Sequence, residues 1–585
     1  MNKSSIALLV SLLAVSSTAD ASRKYDPSKK PKAQGQLGTV MVDAYGLAPQ
    51  TAIIDLAGFK ISGAKVTVHG KGTEGVDINY SVDNEAILTH DGIPIFGLYA
   101  DFNNTVTVSY VKNGANITED YRIYTSPRRS GTPTDGMQTN APVIEVVKVD
   151  KKFKDRLYMV NHIFESANDY QLSWQGGMGA QNWSGKNNVF VTDTQGEVRW
   201  TLDTEHFESY RDVNKRGIMM GFHQLDNGDL IWGKGQHLFR MDMFGKMVWN
   251  WELPRGYIDF SHEIQSMNNG HFLVRAAKAN YLRPDGKRIH TVRDHILELD
   301  ETGKLVDVWD LNNILDNQRD VVLKSLDRGA VCLNVDLNES GHTVEVEPDA
   351  PFGDLPGIGA GRNWAHVNSI GYDHSDDSII LSLRHQGVVK IGRNKEVMWI
   401  ISPSADWGDQ LSEKLLTPVD AKGKPISCTE TGVCEGEFDF TYTQHTAWLT
   451  GKTYNNGTVK GLTIFDNGDA RHLEQPALAS MKYSRAVEYK VNEKDMTIEQ
   501  VWQYGKERGN DWYSAITSVV KYEKDLDSMF IFSATNHLQT KGKKTVGTLN
   551  EVKYNTDEVQ VELKVVSPMG GNPGYRALVI NPDLF

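Results

Sequence analysis

The chain has 585 residues, 39% of them hydrophobic and 23% charged, with a formal net charge of −13. That length exceeds a single ordinary domain of about 100–200 residues, and the acidic balance argues against a nucleic-acid partner, whose phosphates need clustered Lys and Arg. Fifty-two glycines and thirteen tryptophans, with few long helical periodicities, point to many short strands joined by tight turns.

In chain order, the first element predicted is a signal peptide over residues 1–21. Lys3 gives a positive start, Ile6 to Val15 form an apolar run broken only by Ser11, and Ala19-Asp20-Ala21 supplies the small-x-small cleavage pattern. That run is short of the roughly 20 residues a permanent membrane anchor needs, and no later stretch qualifies. An exported, soluble protein without a membrane anchor is expected, its location the periplasm. Residues 22–35 read as a flexible N-terminus. From 36 to 127 short alternating segments follow one another, such as Lys65-Val66-Thr67-Val68-His69, Val76-Asp77-Ile78-Asn79-Tyr80 and Asn104 to Val111, punctuated by Asn-Gly and Asp-Gly turns. Period-2 alternation of β-branched residues predicts a small antiparallel β-sandwich. It holds no catalytic constellation and reads as structural. Residues 128–145, rich in Ser, Gly, Thr and Pro as far as Asn140, read as a linker.

The remainder, 146–585, repeats itself. A turn followed by a strand ending in Val-Trp or its relative recurs at Asp193–Trp200, Asp242–Trp249, Asp300–Trp309, Gly392–Trp399 and Asn492–Trp502, with a degenerate sixth at Tyr554–Leu563. The closing positions lie 49, 60, 90, 103 and 61 residues apart. Units of about 40–50 residues holding four short strands are the mark of a β-propeller. Insertions at Asn312–Gly361 and Ile401–Phe440 account for the long intervals. The fold class expected is all-β: a six-bladed β-propeller preceded by the small sandwich, with five or seven blades left open by the degenerate repeats.

Of three cysteines, Cys428 and Cys434 lie six apart in a polar loop and, in an oxidising compartment, are expected to form a local disulfide, two free thiols being the alternative. Closing so small a loop gains about 2–3 kcal/mol at most. Cys332 has no partner left and reads as a small buried hydrophobe.

A second signal keeps phase with the repeats. His262 (Ser261-His262-Glu263), His366 (Ala365-His366-Val367-Asn368) and His445 (Gln444-His445-Thr446) each open a strand that leads into a turn. The innermost strand of every blade lines the propeller axis, so equivalent positions converge on one pocket. His223 sits at a different distance from its glycine and is not counted. One histidine on such a strand is more often a packed or solvated residue than a catalyst; three in matching phase read as a site. By strand alternation Arg384 shares a face with residues 380 and 382, and either reaches the channel or pairs with a surface carboxylate. Several imidazoles and a guanidinium around one axis suit transfer of an anionic group. A neutral imidazole attacks sulfur or phosphorus, and its cationic adduct is a good leaving group. The arginine fork and further imidazoles hold the non-bridging oxygens, and histidine also titrates in the range needed to protonate the departing oxygen.

At these residues the chain resembles the bacterial aryl-sulfate sulfotransferases, the type that draws on phenolic sulfate esters and not on an adenylyl-sulfate nucleotide. The matching pieces are the sandwich followed by six blades, Ser261-His262-Glu263, Asn363-Trp364-Ala365-His366-Val367-Asn368, Leu383-Arg384-His385, Thr443-Gln444-His445-Thr446-Ala447-Trp448, and the Cys428/Cys434 loop before the last of them. The likeness spans essentially the whole mature chain. It implies that His445 is transiently sulfated and that His262, His366 and Arg384 hold and polarise the sulfuryl group. Asn368 is implied as a neighbouring substrate contact, and either of the other two histidines as the acid/base. It further implies ping-pong transfer from a phenolic sulfate donor to a phenol acceptor, no metal or nucleotide cofactor, a homodimer in the periplasm, and a disulfide installed by the thiol-oxidising machinery there. Two other readings compete. A metal-dependent hydrolase would use the converging histidines as zinc ligands, although on a strand Glu263 points away from His262. A non-enzymatic propeller that binds carbohydrate or protein leaves the matched histidines without a purpose.

Overall fold

The repeated segments are tight hairpins, and their side chains show why. In the computed structural model the Asp193 carboxylate accepts the backbone N–H of Gln195 and Glu197, while Gly196 takes the left-handed conformation (φ 80°) that closes the turn. Asp242 with Gly245 (φ 96°) and Asp300 with Gly303 (φ 82°) repeat the device. In the last three repeats the left-handed position falls to Lys395, Met496 and Asn555, which explains why they lack the Asp-x-x-Gly turn of the first three.

The structure describes residues 34–128, 141–164, 186–207, 217–327, 343, 351–475, 478–538, 540, 542–568 and 573–585. The signal peptide, most of the linker and Cys332 lie outside the described residues. Among the described residues after 141, six sheets of four or five strands follow one another. The first joins Leu157–Phe164, Lys186–Asp193 and Val198–Thr201 to the C-terminal strand Gly574–Ile580. The second runs from Met220–Gln224 to Met247–Glu252, the third from Ile264–Ser266 to Leu305–Asp310, and the fourth from Val367–Asp373 to Val397–Ile401. The fifth spans Ala447–Tyr454 to Thr497–Tyr504 and adds Thr417–Val419 in parallel. The sixth spans Val519–Glu523 to Val559–Val566 and adds Val143–Val149. That added strand begins inside the stretch read from sequence as linker, because Val-Ile-Glu-Val-Val-Lys-Val pairs as an outer strand.

The leading strands of successive sheets touch, second to third, third to fourth, fourth to fifth and fifth to sixth. Gly574–Ile580 then lies against both the sixth and the second sheet, so the chain's end closes the ring. The closing tryptophans tie neighbouring sheets together. Trp200 donates its indole N–H to Met243 O (2.8 Å), Trp309 to Gly392 O (3.2 Å), Trp399 to Glu493 Oε1 (3.0 Å) and Trp502 to Thr556 O (2.8 Å). Each acceptor lies in the outer hairpin turn of the next sheet. In the second sheet Trp251, stacked on Trp249 at 3.7 Å, does the same work by packing on Gly303, where a Cβ would come within 2.7 Å of the indole. A buried bond of this kind contributes about 1 kcal/mol net. The Val-Trp pattern is thus an inter-sheet fastening as well as a strand ending.

The N-terminal domain is two antiparallel sheets. Val40–Val42, Ala52–Asp55 and Gly92–Ile95 form one; Ile78–Val82, Ile61–Val68, Phe102–Lys112 and Ala115–Thr125 form the other. Alternate residues Val66, Val68, Val106, Val108 and Tyr110 supply the core. Asp91-Gly92 is the left-handed end of the short helix Asn84–His90 and not a hairpin turn. The domain docks on the first two sheets: Arg199 donates to Gly97 O and Val76 O and lies over the Tyr99 ring, and Gln50 donates to Val198 O. Among the described residues no helix is long and apolar enough to cross a membrane.

Candidate active site

His262, His366 and His445 precede the leading strands of the third, fourth and fifth sheets, and all three are buried. Left-handed backbone at His262 (φ 70°) and His366 (φ 52°) turns these side chains off the strand line and into the hub. The ring of His262 lies 5.4 Å from that of His366 and 6.4 Å from that of His445, with Tyr575 at 6.1 Å. Residues up to 313 positions apart in sequence thus meet at one point.

The surrounding hydrogen bonds assign each imidazole a tautomer. Asn467 donates its Nδ2 to Ser514 O and Thr517 O, leaving Oδ1 to accept from His445 Nδ1 at 2.7 Å. The lone pair of His445 is therefore on Nε2, where the backbone N–H of Thr517 meets it at 2.9 Å. Thr517 (φ 60°) and Ser518 (φ 87°) are both left-handed, an expensive conformation for a β-branched residue that serves to aim this amide at the ring. His262 is set the other way. Arg275 donates to Ser261 Oγ, whose own proton goes to His262 Nδ1 (2.6 Å), so the proton of His262 sits on Nε2. At His366, Nδ1 faces Asn363 Nδ2 (3.1 Å) and Arg293 Nη1 (3.5 Å), both donors, while Nε2 has no protein partner.

All three rings are held neutral. Burial, reinforced by Arg384, pushes His445 well below the ordinary histidine range; burial with Arg293 does so for His366, and burial with Arg293 and Arg275 for His262. Arg384 is buried just beyond the strand Ser378–Leu383, donating to Thr443 O (2.8 Å) and Ala515 O (3.1 Å), so the surface pairing left open by its sequence is not what the fold adopts. Asn368 gives its Nδ2 to Gln444 O (3.0 Å), tying the fourth sheet to the peptide before His445, and its buried Oδ1 has no protein partner. Glu263 is turned away from the three rings, held by Arg576 (2.8 and 3.0 Å) and by His223 (2.7 Å), which occupies the second sheet's leading strand. Among the described residues, ligating atoms of three or more His, Cys, Asp or Glu side chains gather within 4.8 Å at Asp373, Asp376 and Glu493, where Lys390 and Lys460 already pair with them. The three hub rings form no such group.

Sequence reading missed Asn467, Thr517, Arg275 and Arg293. Asp466-Asn467-Gly468 reads as an ordinary turn, and the amide of Thr517 is a backbone group invisible to any residue-type argument.

Cys428 and Cys434 are joined. Their loop props Tyr442, whose hydroxyl donates to Thr431 O (2.9 Å), and Gly432 sits so close that a Cβ there would meet that hydroxyl at 2.2 Å. Tyr442 stands three residues before His445. Cys428→Ser is expected to lower turnover several-fold by loosening this support and to lower stability by about 2–3 kcal/mol. Calorimetry beside an activity assay reads both, and unchanged melting and turnover would show the loop to be incidental.

The family described as arylsulfotransferase (ASST) matches residues 143–576, and its Ig-like domain matches residues 39–126. An arylsulfate sulfotransferase of Escherichia coli O6:H1 is 51% identical over 565 residues, covering 94% of this chain and 93% of that protein. One from Lelliottia amnigena is 47% identical over 594 aligned positions, covering 99% of this chain and 97% of that protein.

Proposed function

This chain belongs to the arylsulfotransferase family, and from that premise we propose that it moves a sulfuryl group from an aryl sulfate to a phenolic acceptor, with His445 carrying the group between them. The observation that carries this reading is the orientation of His445: Nδ1–H bonded to Asn467, the lone pair on Nε2, and two imidazoles with a guanidinium grouped around it. The six sheets are read as propeller blades around this hub, supported by the ring of touching leading strands and by its closure with the C-terminal strand.

In the first half-reaction the Nε2 lone pair forms the N–S bond while the ester S–O bond breaks, and its electron pair leaves with the phenolic oxygen. A phenol ionises near pH 10, so the departing phenolate needs only a hydrogen bond, which Nε2–H of His366 supplies. Arg384 and Nε2–H of His262 hold the non-bridging oxygens as charge gathers on them. The Thr517 amide, released from Nε2 as the N–S bond forms, becomes a donor for the same group. Asn467 stabilises the charged adduct through Nδ1–H. The second half-reaction runs these steps backwards: another phenol, its proton given up to solvent, attacks sulfur as the phenolate, the new O–S bond forms as the N–S bond breaks, and the N–S electron pair returns to Nε2. No step calls for a metal or nucleotide.

Because the pKa of His445 is depressed, its reactive neutral form persists as pH falls through the ordinary histidine value of 6.5 and is lost only below its own lowered pKa. Phenol release in a single turnover is therefore expected to show no acid limb near pH 6.5; stopped-flow traces with a chromogenic aryl sulfate would read it, and a half-maximal rate near 6.5 would contradict it. The reaction class is tested by incubating purified protein with that ester and phenol. Parallel double-reciprocal lines and phenyl sulfate as product are expected. Failure of sulfate to reach phenol would favour a binding protein, and loss on chelation with recovery on zinc would favour the hydrolase. Periplasmic location and homodimerisation are proposed on the family likeness alone, with fractionation and light scattering as their tests.

A further inference from the structure

A chain of buried polar groups leads away from His366, and none of it is needed to bind the sulfuryl group. Asp354, from the segment inserted between the third and fourth sheets, is buried, and Arg293 Nη2 holds its Oδ2 at 2.5 Å. Its Oδ1 accepts from Asn363 Nδ2 at 2.9 Å. The same Nδ2 lies 3.1 Å from His366 Nδ1. The Asn363 backbone oxygen accepts from Nδ1 of His385 at 2.9 Å, and the His385 ring packs edge-on to His366 at 4.9 Å. One residue therefore faces two adjacent imidazoles, a donor toward one and an acceptor toward the other.

We propose that Asp354 and Asn363 are positioning residues that fix which nitrogen of His366 carries the proton. The carboxylate cannot face the amide oxygen without like-charge repulsion, so it keeps Nδ2 turned inward. Nδ2 in turn permits only a lone pair at His366 Nδ1, and the proton is confined to Nε2, on the hub side. The logic is that of a second-shell partner setting a histidine tautomer. Other groups facing His366 do not reverse this assignment. Arg293 is a second donor at Nδ1, Arg384 is a further cation, and His262 and His385 are neutral rings. Facing Asp354 are Arg293, Arg275 and the carboxylate of Asp259. Burial raises Asp354, and the Arg293 guanidinium on its Oδ2 works against this, in favour of the carboxylate. The inference rests on the reading that His366 serves the leaving oxygen, but the tautomer itself is measurable without activity.

The test is the charge-conserving exchange Asp354→Asn/Asn363→Asp, which keeps size and net charge and reverses the polarity of the pair. Ring nitrogen-15 NMR on histidine-labelled protein, with His366 identified by loss of its signals in His366→Gln, is expected to show the proton on Nε2 in the native chain. In the exchanged variant it is expected on Nδ1, beside the carboxylate now at position 363. His385, bonded to the backbone oxygen of that position, should keep its signals and serves as the control for folding. Single-turnover phenol release is expected to fall about 100-fold in the exchange, a typical loss for one hydrogen-bond donor to developing charge. The proton remaining on Nε2 in a folded exchange variant would overturn the proposal. A swapped tautomer with undiminished release would uphold it and instead remove His366 from the leaving-group role.

Discussion

His445→Asn is expected to fold as the native chain does and to lose transfer by about 10⁶-fold, the scale seen when a covalent nucleophile is removed and only binding and polarisation remain. An asparagine side chain has no lone pair comparable to Nε2, so neither half-reaction proceeds. The phenol burst should vanish with the steady state, since both depend on the same nitrogen. The substitution is mild for the fold. Asn467 keeps its bonds to Ser514 O and Thr517 O, and the backbone N–H of residue 445 still reaches Phe465 O at 3.0 Å. Circular dichroism and melting establish folding, and single-turnover kinetics read the chemistry. Turnover within tenfold of native would remove His445 from the centre of the account.

The next largest loss is expected for Arg384→Lys. Charge is conserved, so the electrostatic field that keeps His445 neutral changes little. The planar fork is not conserved: two of its N–H groups hold Thr443 O and Ala515 O, which fixes the guanidinium beside the three rings, and the point-like tetrahedral ammonium of lysine does not spread its donors in that plane. A fall of about 10²–10³-fold is expected, carried by kcat more than by KM, because the bond tightens as charge gathers on the oxygens in the transition state. A change confined to KM would reduce Arg384 to a ground-state anchor. Native kinetics would exclude it from the site.

Much of the architecture was legible in the chain because the repeat has a mechanical cause. Asp–Gly turns close by side-chain-to-backbone bonds, and the tryptophans that follow must fasten one sheet to the next, so both residue types recur. The meeting of His262, His366 and His445 was legible through their common phase with the repeats. What the sequence hid was of two kinds. Ring closure by Gly574–Ile580 and the outer strand Val143–Val149 pair ends of the chain more than 400 residues apart, and period-2 alternation says nothing about such partners. The groups that set proton positions are either backbone, as at Thr517, or residues in turn-like contexts, as at Asn467 and Asp354. Their chemistry exists only once burial strips away water, so no local pattern announces them. His223, set apart by its spacing, donates from Nε2 to Glu263, whose carboxylate also pairs with Arg576.

Whether one nitrogen bears the sulfuryl group is measured most directly by mixing the protein briefly with an aryl sulfate in the absence of any phenol acceptor, quenching at neutral to alkaline pH, and mapping peptides by mass spectrometry. One added sulfuryl group on the peptide containing His445, removed when phenol is supplied before the quench, is the predicted result. Phenol release with the peptide unmodified, or the group found on another residue, would contradict it.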